Sequence, residues 1–191
     1  MAVEVPPQVD RLLEAMDGAW SNGGAVCGWF RRDDFTGPRG DASGELEELC
    51  ASGDILGLFA EHSQGMAVDD DWYHDGVFHF PPHGPLTGPQ ATAAARTFSE
   101  DLGGASLATG LAEMLWRPGA YTQFEGELEE AERIASGAAD TLLGRAGPAV
   151  TVHFSREPWH PGLHGVAWDY TYVLLDAPRG AAVILAASDG D

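Results

Sequence analysis

The chain reads as an α+β fold in which an antiparallel sheet, formed largely by the C-terminal strands, packs against several helices from the N-terminal and central chain. Three observations lead there. Apolar residues recur at steps of three and four through most of the chain as far as Leu142. From Val150 onward the pattern changes to alternation and to aromatic and β-branched runs. Pro178-Arg179-Gly180 then supplies turn chemistry between the last two runs, which predicts a hairpin. Helices first and strands later place the helices on one face of the sheet.

Pro6-Pro7 opens the first helix, because a first-turn proline has no amide proton to lose, and Val9, Leu12, Leu13 and Met16 form its apolar face. Ala25 to Phe30 is a short apolar run that fits a buried strand. Arg31 to Ser43, with two glycines and a proline, reads as a loop. Leu46, Leu49 and Cys50 mark a second helical stretch beginning near Gly44, with Ile55, Leu58 and Phe59 resuming after Ser52-Gly53. Between Gly65 and Gly88 periodicity is lost, which predicts a long ordered loop around a short strand, Val77 to Phe80.

Pro89 then starts a helix with Ala91, Ala94, Ala95, Phe98 and Leu102 on one face, stopped by Gly103-Gly104. Leu107, Leu111, Met114 and Leu115 form the next face, ended by Pro118. Phe124, Leu128, Ala131, Ala135, Ala138 and Leu142 follow as the stripe of a long amphipathic helix flanked by glutamates. Val150, Val152 and Phe154 alternate with Thr151, His153 and Ser155. Trp168 to Leu175 and Ala181 to Ala187 complete the strands. A length of 191 residues, with no repeat and no linker, predicts a single domain over 1–191.

Composition excludes several chemistries. Thirty acidic residues face ten basic ones, for a formal charge of −20, and all ten basic residues are arginine. A lysine-free chain has no Walker A lysine for phosphates and no amine for a Schiff base. The acidity opposes nucleic acid, whose affinity comes from neutralising phosphates, and opposes anionic membranes. It favours a basic protein or a cationic ligand. Abundant Ala, Gly and Arg are also the output of a GC-rich genome, and acidic, lysine-poor surfaces suit a salt-loving source. Met1 to Asp10 lacks the charged and apolar regions of a signal peptide, and no apolar run is long enough to span a membrane, so a cytoplasmic location is expected. There Cys27 and Cys50 stay reduced and behave as small hydrophobes.

Two segments carry the histidines that bear on chemistry. The first runs Asp69-Asp70-Asp71-Trp72-Tyr73-His74-Asp75-Gly76 and on to His79 and His83. It fails as a calcium loop, since Tyr73 and Pro82 stand where ligands are required. The second is Trp159-His160-Pro161-Gly162-Leu163-His164, followed by Asp169, which is placed to orient an imidazole. His79/His83 and His160/His164 are each four apart, but intervening prolines deny the helix that would align them, and no HExxH glutamate is present. Ser106 lacks the glycine and the strand of a nucleophile elbow and reads as a helix N-terminal residue. Gly23 to Gly28 lacks the middle glycine of a dinucleotide loop.

Two functional readings follow. In the first, the protein is an interaction module whose acidic surface engages a basic protein, as an inhibitor or immunity-type partner would. A tryptophan exposed beside acidic residues would mark such a surface. In the second, it is a small hydrolase or lyase. Its catalytic candidates are His74, Asp75, His160 and Asp169, and its metal candidates, for a divalent ion, are His74, His79, His83, His160 and His164.

Overall fold

A computed structural model describes residues 5–20, 23–31, 42–52, 85–101, 104–117, 122–146, 150–160, 163, 169–176 and 181–189. In chain order the elements are α1 (Pro7–Ala19), β1 (Gly23–Arg31), α2 (Ala42–Ala51), α3 (Gly88–Ala95), β2 (Ser99–Asp101), α4 (Gly104–Trp116), α5 (Leu128–Ala146), β3 (Thr151–Ser155), β4 (Tyr170–Asp176) and β5 (Ala181–Asp189). The five strands form one sheet in the order β1-β5-β4-β3-β2, antiparallel throughout. The α+β class is therefore as the sequence predicts.

Local chemistry explains the helix boundaries. Pro7 occupies the first position of α1, and the Pro6 carbonyl accepts the amides of Val9 and Asp10, each at 2.9 Å. The far end of α1 leaves carbonyls without intrahelical partners, and the Thr122 hydroxyl donates to that of Ala19 at 2.8 Å. Helix α3 opens at Thr87, whose amide and hydroxyl both donate to Gln90 Oε1, at 2.9 and 2.8 Å. It is shorter than its apolar spacing suggests. After Ala95 the amides of Thr97 and Phe98 bond back to Ala94 and Ala95 in tight turns, and Ser99 then pairs with Phe154 as the start of β2. Phe98 thus leaves the helical face for the edge of the sheet, and Leu102 lies outside the described residues. Helix α5 likewise begins at Leu128 rather than Phe124. Its stripe of Ala131, Ala135, Ala138 and Leu142 is fully buried, but Leu128 is exposed.

The expectation of helices on one face needs correction, because the sheet is covered on both. One face, bearing Ala25, Cys27, Tyr170, Tyr172, Leu174, Val183 and Leu185, packs against α1, α4 and α5. The other, bearing Val26, Phe30, Val173, Leu175, Ala182, Ile184 and Ala186, packs against Leu46, Leu49 and Cys50 of α2 and Ala91, Ala94 and Ala95 of α3. The physical reason was present in the strands. Every residue of β4 is buried, and a strand buried on both sides reads as a continuous apolar run rather than as alternation. α2 and α3 are clipped together by Thr92, whose hydroxyl donates to Glu47 at 2.6 Å. Within the other layer α5 touches α1 on one side and α4 on the other.

Gly110 shows how closely α4 approaches the sheet. A methyl group there would collide with the Tyr172 hydroxyl. Tyr172 cannot swing aside freely, since it is buried and stacked on Phe154 with ring centroids 4.6 Å apart. Gly137, in the middle of α5, would meet only Gln8 at 3.9 Å. The two substitutions should therefore differ in sign. Gly137→Ala gains helix propensity and stabilises by about 1 kcal/mol. Gly110→Ala gains the same propensity but overpacks the core by about 1–3 kcal/mol, for a net loss. Urea unfolding of both variants checks this; equal effects would mean that α4 stands further from Tyr172.

Candidate functional site

Of the residues singled out from the sequence, His160 and Asp169 lie among those described, whereas His74, Asp75, His79, His83 and His164 do not. His160 and Asp169 are both buried, at 2% exposure. After β3 the chain turns at Glu157, whose amide donates to Ser155 Oγ at 3.1 Å and whose carbonyl accepts the Trp159 amide at 2.8 Å. A second turn follows, with the Leu163 amide on the His160 carbonyl at 2.9 Å. These turns fold Trp159 and Leu163 into the α2/α3 side of the core. The Trp159 indole donates to Thr171 Oγ1 at 2.8 Å, and its ring meets Phe98 at 5.7 Å and His160 edge-on at 5.7 Å.

Asp169 sits just ahead of β4, and its Oδ1 accepts the hydroxyl of fully buried Ser188. Since Tyr170 pairs with Ala187, Asp169 falls beside Ser188 across the strands. Ser155 pairs with Thr171, and its hydroxyl donates to Thr97 Oγ1 at 3.0 Å. The result is a buried polar seam at one end of the sheet, with hydroxyls serving a carboxylate and an indole. Buried polar groups require such partners, and the seam ties β3, β4, β5 and the end of α3 together. Sequence reasoning found Asp169 and His160 but missed Thr171, Ser188 and Ser155. A further buried histidine, His153, has Nε2 2.9 Å from Thr151 Oγ1. The signal was the alternation of β3, whose polar positions point not to solvent but to the second face of the sheet.

Among the described residues no three His, Cys, Asp or Glu side chains are placed to hold a metal ion. Nor are the cysteines built as nucleophiles. Burial pushes the Cys27 thiol far up, and pushes Cys50 up to about 12, with the Glu47 carboxylate adding to the latter. Reactivity needs the thiolate, which at neutral pH is scarcely populated in either.

The outer surface of the α1/α4/α5 layer has a different character. Its described side chains include exposed Asp10, Glu14, Asp17, Glu113, Glu125, Glu127, Glu129, Glu132 and Asp140, and half-buried Glu130, against Arg11, Arg117, Arg133 and, from the end of β3, Arg156 beside Glu113. Arg11 and Arg133 both reach the same Glu130 oxygen, at 3.2 and 3.1 Å. Two grooves flank α5. One, of about 540 Å³, lies toward α1 and is lined by Arg11, Glu14, Phe124, Glu125, Glu130 and Ile134 among others. The second, of about 300 Å³, lies toward α4 between Glu113, Trp116, Leu128 and Glu132. Asp17, at the end of α1, loses part of its hydration: burial chiefly, with a smaller contribution from Glu14, raises its carboxyl above its ordinary value despite the Ala25 amide donating to it at 3.2 Å.

No protein-family model matches the chain, and no curated protein matches it. Two solved structures, both of citrus MAF1 in different crystal forms, are similar to it. The first is 15% identical with a TM-score of 0.46 and is covered to 96% of each chain. The second is 14% identical with a TM-score of 0.42, over 94% of this chain and 96% of that one. Likeness of that depth transfers no function.

Two outcomes are expected. A thiol reagent should leave Cys27 and Cys50 unlabelled in the native protein and label both once it is denatured; fast native labelling would place one of them at a surface. Asp17→Asn should raise the melting temperature at neutral pH. The Asp17 carboxyl is raised in the folded state, so its contribution is fully present below its model value of 3.8 and is lost as pH rises through the folded value. The gain from the substitution should accordingly fade on acidification, which thermal melts across that range would register.

Proposed function

We propose that the protein is an interaction module that takes up a basic protein, in the manner of an inhibitor or immunity-type partner. The observation that supports this most is the lopsided charge of the α1/α4/α5 surface, where carboxylates crowd and arginines are few. A surface of one sign raises the encounter rate with an oppositely charged partner and suppresses wrong ones. The chain as a whole, at −20, adds to the same field.

The hydrolase or lyase reading draws on His74, Asp75, His79, His83 and His164, which lie outside the described residues. His160 and Asp169 alone are packed into the interior seam.

The test is kinetic. Basic proteins purified from the same cells should associate with this one at a rate that falls about tenfold or more between about 0.05 and about 0.5 M salt, while dissociation changes little. Glu127→Lys combined with Glu129→Lys should slow association further at low salt. If no basic protein binds at low salt, or if binding ignores both salt and the charge reversals, the reading is wrong.

A further inference from the structure

Trp116 and Leu128 are the large apolar side chains that stand exposed among the described residues, at 43% and 44%. They are not scattered singly. Both line the 300 Å³ groove between α4 and α5. On α4 the groove is bordered by Ala108, Ala112 and Trp116, and on α5 by Leu128, Glu132 and Ser136. Each set steps by four residues, which is the spacing of a row along one side of a helix. The small side chains leave a trough, and the large apolar pair lies where the end of α4 meets the start of α5. Glu113 and Glu132 stand on opposite helices along it. Arg156 approaches Glu113 at 3.8 Å and also lies over the Phe154 and Tyr170 rings at 5.4 and 5.3 Å.

We propose that this groove is the seat of a basic amphipathic segment of a partner protein. An apolar side chain of the segment rests on Trp116 and Leu128, and its arginine or lysine residues reach Glu113 and Glu132. The assignment rests on the acidic-module reading and specifies where on that surface the partner docks. Charge complementarity selects the occupant. A second copy of the chain would bring another −20 and, in a twofold contact, set Glu113 and Glu132 against themselves. An anionic membrane would meet the same acidic rim. A basic helix or strand with one apolar face satisfies both the apolar pair and the carboxylates, in the mode by which a helix lies in a groove. Trp116 has the character of an anchor, being aromatic, surface-placed and flanked by groups that a cation would engage.

The test uses the full-length protein and two fluorescein-labelled amphipathic peptides with the same leucine face, one flanked by arginines and one by glutamates. Anisotropy at low salt should show binding of the arginine peptide alone. Trp116→Ala should weaken it about tenfold or more, and Glu113→Gln with Glu132→Gln should weaken it and flatten its salt dependence. Glu48→Gln, on α2 across the sheet from the groove, should change it less than about twofold. Salt-sensitive binding that ignores Trp116, Glu113 and Glu132 would overturn the groove while leaving the acidic-module reading in place. Binding of the glutamate peptide, or failure of the arginine peptide to bind, would also overturn it. So would a dimer in sedimentation that Trp116→Ala dissolves, since a second copy would then be the occupant.

Discussion

The fold depends on the burial of β4 and β5 from both sides. Leu174, Leu185 and Val183 need cover on one face, and Val173, Leu175, Ile184 and Ala186 need it on the other. Each large apolar side chain moved out of water contributes about 1.5–3 kcal/mol, so leaving either face open would cost much of the stability of a domain this size. Two helical layers are the response. Small residues on the strands and helices, Ala182 and Ala186 with Ala91, Ala94 and Ala95 on one side and Ala187 with Ala131, Ala135 and Ala138 on the other, let those layers come close. Gly110 lets α4 approach Tyr172 where even a methyl group would collide.

Burial on both faces also makes the polar seam necessary. A strand end that runs into the interior carries its polar side chains with it, and each must find a partner or remain desolvated at a cost of about 1–3 kcal/mol. Ser188 and Thr171 find theirs in Asp169 and Trp159. The same residues that resemble catalytic material in isolation are therefore engaged in holding strands and turns together. The outer helical surface is free of that duty, and its charge and its exposed tryptophan are not needed to complete the core.

Much of this was legible from periodicity. The faces of α1, α2 and α4 follow from residues such as Leu12, Leu49 and Leu111, and the pairing of β4 with β5 follows from turn chemistry between two β-like runs. Spacing misled where it continued past a change in backbone. Phe98 keeps the helical step from Ala94 yet lies beyond the end of α3, because the local turns at Thr97 and Phe98 prevail over the apolar pattern. Leu128 fits the stripe of α5 yet is exposed, lining the groove with Trp116 instead of joining the core. Which tryptophan would be exposed was not readable at all. Trp20 is fully buried against Tyr170 and Trp116 is not, a difference that tertiary packing decides and one-dimensional pattern does not.

The order of the strands has a consequence for how the chain reaches this state. β1 pairs along its whole length with β5, and every partner lies 150 residues or more further along the chain. A ribosome delivers the two at different times, so the first strand to emerge must wait for the last before it has a neighbour. Until then its apolar run, Ala25 to Phe30, is a bare strand on an unfinished protein, and pairings this distant are slow to close. An acidic chain that repels its own copies is suited to that interval, since mutual repulsion keeps waiting strands on different molecules apart.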